Sequence, residues 1–199
     1  MPRNSSILNE SLMQAHQLVW QPGKTLHTTW WQHWHLTELR EVYPRLTSAG
    51  QRTVDGQIIS LRRLPLWQPE QLTAGQIQLL RLQPRMVLLL TALGLQQFGC
   101  RGYLWLPEYR QTLNTIFSER QLCQLSALML PVNAARMLDT DELLSACLHA
   151  GQLACQSVLV NDPLWQMLQF SLPRLTEIPH KVESLAEPLA ALLRLERFL

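Results

Sequence analysis

The densest run of hydrophobic residues in the chain lies between Pro84 and Gly99, where apolar side chains occupy most positions. Pro84 suits the first position of a helix, because the N–H group that proline lacks is not needed there. Gly99 suits the position just past the end, where glycine readily adopts a left-handed backbone. The apolar residues cover nearly the whole circumference, which is typical of a helix buried on all sides. The unbroken part is about half of the roughly 20 residues that cross a bilayer, so the pattern predicts a core helix.

Helical periodicity with recognisable ends continues through the second half of the chain. Residues 1–12, in contrast, are polar and are predicted to be loose. Capping boxes are predicted at Ser118–Gln121 and Asp139–Glu142, where the first and fourth residues satisfy each other's backbone N–H groups. The helices expected on either side of the core helix lie at 71–82, from 107 onward, and at 119–129, 140–159, 164–170 and 185–198.

Residues 44–60 lack a clear helical pattern and contain several turn-forming residues. Asp55-Gly56, flanked by Val54 and Ile58, is typical of a tight turn between two strands. We therefore predict an all-α fold, an irregular multi-helix bundle around a buried central helix, with one small β-hairpin at 54–59 as an open alternative. The length favours a single helical domain over 1–199, divided into a loose N-terminus (1–12), a Trp- and His-rich, loop-rich part (13–70) and a helical core (71–199).

The segment 27–36 has the most unusual composition, with three tryptophans and three histidines. On a helix, His27, Trp30, Trp31 and Trp34 share one face, because they follow the i, i+3, i+4, i+7 pattern. The interpretation we favour is an aromatic face packed inside the protein. The alternative is a surface that binds a partner, since Trp is enriched at such surfaces. The candidate partner-binding residues are Trp20, His27, Trp30, Trp31 and Trp34.

A metal site or a catalytic site is not expected from the pattern of reactive residues. His33 and His35 point about 200° apart on a helix and cannot share an ion there. The four cysteines form no CxxC pair and have no His at zinc-ligand spacing, so buried reduced thiols are expected. The acidic residues at 139–142 are assigned to helix capping. The chain has no G-x-S-x-G, P-loop or G-x-G-x-x-G motif, so no catalytic residue, cofactor or enzymatic activity is predicted.

Composition and charge narrow the function classes further. About one residue in five is Leu, which favours helices over strands. The formal net charge is only +2, too mild for a nucleic-acid-binding surface. The adjacent pair Arg62-Arg63 is predicted to be solvated. Reduced thiols and the lack of a signal peptide or membrane-spanning segment predict a cytoplasmic protein without direct membrane insertion.

Several short stretches resemble a known family. An apolar-aromatic run followed by Pro, Val19-Trp20-Gln21-Pro22, precedes the hydrophobic-His pair Leu26-His27. Further along, Leu80-Arg81-Leu82-Gln83-Pro84 precedes a Leu-rich helix with Leu93-Gly94-Leu95. This order is similar to the adaptor proteins of the type III secretion sorting platform, the SctK class that includes YscK, OrgA and MxiK.

The resemblance implies a mostly helical, non-enzymatic adaptor at the cytoplasmic base of the injectisome, peripheral to the inner membrane. Its implied partners are the cytoplasmic domain of the inner-membrane ring protein (SctD class) and the pod protein (SctQ class). Under this hypothesis the Trp30, Trp31 and Trp34 face and the basic N-terminal half are candidate contact surfaces. Two alternatives stay open: a helical chaperone or regulatory module for secreted substrates, and a small metal-dependent or hydrolytic enzyme.

Overall fold

The computed structural model describes residues 3–128, 137–174 and 187–199, with side chains from Leu8 onward. Helices make up most of these ranges and no strand occurs in them, so the predicted all-α class is confirmed. The helices are α1 (Arg3–Trp20), α2 (Thr28–His33), α3 (Thr37–Val42), α4 (Ser48–Arg62), α5 (Ala74–Leu82), α6 (Met86–Phe98), α7 (Gly102–Trp105), α8 (Pro107–Leu113), α9 (Glu119–Leu128), α10 (Thr140–Leu159), α11 (Pro163–Leu168) and α12 (Pro188–Phe198). None of these helices combines the length and the hydropathy that a membrane crossing requires.

The chain groups into two compact units. Unit 1 contains Met1–Pro84 and Asn161–Leu175, and unit 2 contains Arg85–Val160 and Thr176–Leu199. Each unit therefore joins a long continuous stretch to a second piece from later in the chain. The single domain over 1–199 stays a prediction.

Unit 1 is assembled on α1, which packs against α4, α5 and α11. The buried face of α1 includes Ser11, Ala15 and Leu18, spaced as one face of a helix requires. The structure corrects the expectation of a loose segment at 1–12, because α1 already begins at Arg3. No Pro or Gly lies between Arg3 and Ser11, so the helix that presents this buried face continues back to Arg3.

The hairpin predicted at 54–59 is wrong, because these residues lie inside α4. Thr47 caps the start of α4 with its side-chain oxygen. The buried residues of α4 are Val54, Asp55, Ile58 and Arg62. These positions form one helical face, and its burial in unit 1 outweighs the local turn preference of Asp55-Gly56. The helix ends at Arg63, which adopts a left-handed backbone with φ 52°.

In unit 2, α6 is the central helix and packs against α9, α10 and α12. Its predicted end is confirmed, since Gly99 is the C-cap with φ 61°. Its start lies two residues later than predicted, at Met86, because residues 83–85 form a separate 3-10 turn. The helix is buried from Leu89 to Leu95, whereas Val87 near its start is 38% exposed. The burial on all sides that we predicted is therefore confirmed for the central turns only.

The crossing of α6 and α10 is close because each helix places a glycine against the other's backbone. A Cβ added at Gly94 would lie 1.8 Å from the carbonyl oxygen of Cys147. A Cβ added at Gly151 would lie 2.1 Å from the carbonyl oxygen of Leu90. Both distances are far below van der Waals contact, so only glycine fits at these two positions. Gly94, which interrupts the apolar run of α6, is therefore a packing residue.

Most other helix predictions in the described residues agree with the structure. α10 spans Thr140–Leu159 as predicted, although Asp139 makes no side-chain capping bond there. The capping box at Ser118–Gln121 is formed, with backbone-to-side-chain bonds of 2.8 and 3.4 Å. A further box at Thr73–Gln76 starts α5 three residues later than predicted. The predicted start of the last helix, at 185, lies outside the described residues.

Candidate interaction site in unit 1

The Trp- and His-rich segment contributes to a hydrophobic cluster of unit 1, which we call the aromatic cluster. Its buried members are Leu26, Trp31, Tyr43, Val54, Ile58 and Phe170. Partly buried residues packed around it are Trp30, Trp34, Leu36, Leu39, Leu46 and Leu64. The cluster therefore joins α2, α3 and α4 to the 3-10 turn at 169–171 that follows α11.

His27 sets the position of α2 within this cluster. Its backbone N–H donates to the carbonyl of Phe170 at 2.9 Å, and its side chain caps α2 by accepting the N–H of Thr29 at Nδ1, at 3.3 Å. Burial, and to a lesser extent the charge of Arg40, lowers the pKa of His27. A neutral imidazole is the form that can accept a capping bond at Nδ1, so the cap and the lowered pKa agree.

Trp30 and Trp34 pack together on Phe170. The ring centroids lie 4.7 Å apart for Trp30 and Phe170, 5.8 Å apart for Trp34 and Phe170, and 5.4 Å apart for the two tryptophans. The indole Nε1–H of Trp30 donates to the carbonyl of Leu172 at 3.0 Å. The guanidinium of Arg174 lies 6.0 Å from the Trp30 ring centroid. Both tryptophans are therefore held by contacts within unit 1.

The five residues predicted to bind a partner occupy different environments. Trp31 is 1% exposed and contacts Tyr43, with ring centroids 6.0 Å apart, so it is a core residue. Trp20, the last residue of α1, is 38% exposed and lies outside the aromatic cluster. His27, Trp30 and Trp34 are half-buried. The structure thus places Trp30, Trp31 and Trp34 in the aromatic cluster and His27 at the cap of α2, and the partner-binding role stays a prediction.

A buried polar pair on α4 was missed by the sequence analysis. Asp55 is 3% exposed and Arg62 is 7% exposed. The prediction of a solvated Arg62-Arg63 pair is therefore wrong for Arg62, while Arg63 is exposed. The signal was present in the sequence, because positions 54, 55, 58 and 62 follow one helical face. It was hidden because 54–59 was interpreted as a turn between strands.

Asp55 links three parts of unit 1. Its carboxylate accepts the hydroxyl of Tyr43, at 3.0 and 3.1 Å to its two oxygens, and the backbone N–H of Gly23 at 2.9 Å. Burial, followed by the bond to Asp55, raises the pKa of Tyr43 well above its usual value. Neutral donors therefore occupy both oxygens of this carboxylate.

The guanidinium of Arg62 is held on one side only. Its Nη1 donates to the carbonyl of Leu18 at 2.9 Å and contacts the sulfur of Met167 at 3.5 Å, while Cζ lies 4.9 Å from the Phe170 ring centroid. Nε and Nη2 are buried and have no hydrogen-bond partner in the described residues. Burial lowers the pKa of Arg62 to about 10, against the opposing effect of the Asp55 charge. Arg62 is still charged at neutral pH.

An open groove runs beside Arg62. It is shallow and open to solvent on one side, with about 20 Å³ of space accessible to a water molecule, and apart from Arg62 its lining is apolar. The lining residues are Val19, Ile59, Arg62, Leu64, Pro65, Leu66, Trp67 and Met167. Leu66 is 67% exposed, so the rim of the groove presents an apolar side chain to solvent. We refer to this feature as the Arg62 groove.

The reactive residues elsewhere do not converge on a metal. Among the described residues, no three His, Cys, Asp or Glu side chains are placed to hold an ion. All four cysteines are free, as expected, but the prediction of burial holds only for Cys147 and Cys155, since Cys123 is exposed and Cys100 half-buried. Burial raises the pKa of the Cys155 thiol to about 12 and that of Cys147 further still. Neither buried thiol is a thiolate at neutral pH.

Neither the curated proteins nor the solved structures contain a significant match to this chain. One family model, described as "Type III secretion system subunit", matches residues 13–174. The matched range includes α1 from Met13 onward, all of α2–α11, the aromatic cluster and the Arg62 groove. Because the match covers most of the chain, the protein belongs to the type III secretion system subunit family.

Proposed function

We propose that this subunit is a non-enzymatic adaptor of the sorting platform, of the SctK class. In this role it connects the cytoplasmic domain of the inner-membrane ring protein (SctD class) to the pod protein (SctQ class). It acts in the cytoplasm at the base of the injectisome and takes no cofactor. The observation that carries the proposal is the family match over 13–174, which contains both stretches that resemble the SctK class.

The residues that carry the resemblance support the proposal through their roles in the fold. Leu26 is 8% exposed, and its N–H donates to the carbonyl of Pro22 at 2.9 Å, which closes the turn between α1 and α2. His27 then caps α2. Leu93 and Leu95 are at most 2% exposed in the central turns of α6. The resemblance therefore lies in residues that determine structure, as expected of a fold shared across a class of adaptors.

The test is co-purification of the tagged full-length chain with its two candidate partners. The chain is mixed at micromolar concentration with the cytoplasmic domain of a ring protein and with a pod protein from the same gene cluster. We expect both to be retained, and size-exclusion chromatography with light scattering to show one complex that contains all three proteins. Retention of neither partner would refute the adaptor function.

The same preparation distinguishes the two alternatives. A chaperone or regulator of secreted substrates would retain an unfolded client in place of the ring and pod proteins. A metal-dependent enzyme would contain bound zinc or iron after purification, or its melting temperature would change when the metal is added. An adaptor is expected to show neither behaviour.

A further inference from the structure

Residues 64–68, in the segment that links α4 to α5, contribute to one wall of the Arg62 groove, and their backbone is unpaired. Residues 64–68 belong to no helix. Within the described residues, no N–H or C=O group of this segment is hydrogen-bonded to another protein group. Backbone groups of this kind are available to pair with a second extended chain, as at the edge of a sheet. Leu64 and Trp67 are half-buried, which anchors the segment by side chains alone.

Arg62, which lines this groove, carries two donors that are unpaired within the described residues, Nε and Nη2, and both are buried beneath its surface. Nε and Nη2 form one edge of the guanidinium, the two-donor edge that a carboxylate accepts in a bidentate pair. Leaving donors of a buried charged group without acceptors is costly. Asp55 does not serve as the acceptor, because its carboxylate bonds to Tyr43 and Gly23 and forms no ion pair with Arg62 among the described residues.

The charge of unit 1 favours an acidic ligand. The sequence of this unit contains nine Lys or Arg against six Asp or Glu, a formal net charge of +3. Such a balance attracts an acidic segment and speeds its association. The apolar lining of the groove and the exposed Leu66 add a site for an apolar side chain.

We propose that the Arg62 groove binds an extended segment of a partner protein that carries an acidic residue next to an apolar one. The apolar side chain lies between Leu66, Ile59 and Met167, and the carboxylate accepts Nε–H and Nη2–H of Arg62. The segment's backbone pairs with residues 64–68. Because no hydrogen bond holds 64–68, a small displacement of this segment gives the carboxylate access to the buried edge of the guanidinium. This inference rests on the proposed adaptor function and names a contact surface for it.

The first experiment measures fluorescence polarisation of labelled peptides with the full-length chain. The probe is a short peptide of alternating Leu and Asp, with its ends blocked. Two matched peptides replace every Asp by Asn or every Leu by Ser. We expect saturable binding of the Leu-Asp peptide and a loss of roughly 10- to 100-fold in affinity with Asn, the range of a charge-assisted hydrogen bond. The Ser peptide is also expected to bind more weakly. Equal binding of the Asp and Asn peptides, or no binding at all, would overturn the proposal.

The second experiment locates the site with Leu66→Asp and the control Leu8→Asp. Both leucines are exposed, at 67% and 49%, so neither change is expected to unfold the chain, which thermal denaturation checks. Leu66→Asp places a negative charge on the rim and is expected to weaken peptide binding by about tenfold or more. Leu8→Asp, outside the groove, is expected to leave the affinity unchanged. Unchanged affinity in Leu66→Asp would refute the assignment to the groove.

Failure of the groove and failure of the adaptor function give different results. If the native chain retains the ring and pod proteins, and Leu66→Asp retains both equally well, the groove assignment is wrong and the adaptor function stands. If the native chain binds the Leu-Asp peptide but neither partner protein, the groove stands as a peptide site and the adaptor function is wrong. If free acetate displaces the labelled peptide as effectively as unlabelled peptide does, the groove is a simple anion site and the proposal is overturned.

Discussion

The close crossing of α6 and α10 makes a sharp prediction about one methyl group. Gly94→Ala adds a Cβ that lies 1.8 Å from the carbonyl oxygen of Cys147 and 2.9 Å from its Cα. Carbon and oxygen atoms ordinarily approach no closer than about 3.3 Å, so the two helices have to separate by about 1.5 Å. No side-chain rotation relieves this contact, because both partners are backbone or Cβ atoms.

The cost of this separation is expected to exceed the gain in helix propensity. Overpacking a core costs about 1–3 kcal/mol, and a contact with rigid backbone belongs at the upper end of that range or beyond it. A gap of about 1 Å between packed helices also forfeits up to half of the dispersion energy of the separated contacts. Ala gains about 1 kcal/mol over Gly in a helix. The net destabilisation is therefore at least about 2 kcal/mol, or a fall in Tm of about 4–8 °C.

Gly56→Ala is the matched control for this prediction. Gly56 lies in α4, is exposed, and has no atom within 4 Å of an added Cβ. The same substitution is therefore expected to raise stability by about 0.5–1 kcal/mol through the unfolded state. Urea and thermal denaturation followed by far-UV circular dichroism measure both variants. A Gly94→Ala protein as stable as the native chain would show that the described crossing of α6 and α10 is wrong.

Three further predictions concern the histidine cap, the core tryptophan and the thiols. Because the pKa of His27 is lowered in the folded state, the unfolded state binds the proton more tightly, and the free energy of unfolding is expected to fall as the pH drops below about 6.5. His27→Asn keeps a cap acceptor and is expected to reduce this pH dependence in urea titrations. An unchanged pH dependence in the variant would contradict the prediction. Trp31→Ala is expected to lower the free energy of unfolding by about 3–5 kcal/mol because Trp31 is fully buried, whereas Trp20→Ala at the exposed end of α1 should lower it by less than about 1 kcal/mol. Similar losses in the two variants would contradict the core position of Trp31. A thiol reagent at mildly alkaline pH is expected to label Cys123 rapidly and Cys147 only on unfolding, and rapid labelling of Cys147 in the native protein would contradict its burial.

Local signals in the sequence were sufficient where an element is defined by its own residues. The end of α6 followed from Gly99 and the bounds of α10 from a polar start and a turn-forming end. The box at Ser118–Gln121 forms as its spacing indicates. At Gly99 and at Ser118–Gln121 the interacting groups lie within four residues of one another, so neither end depends on distant packing.

The candidate site could be predicted only in part. The aromatic segment was recognisable by composition, and the packed interpretation that we favoured holds for Trp31. The sequence did not reveal that Phe170, more than a hundred positions away, would be the surface on which Trp30 and Trp34 lie. Arg62 was expected in solvent because an arginine without a visible partner is usually solvated. Its burial depends on Leu18 and Met167, which only the fold brings to it.

The sequence by itself determined that this protein is helical, where several helices of its second half end, and that one apolar helix is buried at the centre of the surrounding helices. These properties follow from periodicity and capping, which act over a few residues. Tertiary structure alone decided that α4 is a helix, that Asp55 and Arg62 are buried, and that a groove opens beside them. The physical reason is that 54–62 satisfies both a turn pattern and a helical face, and the free energy that chooses between them comes from burial against distant parts of unit 1.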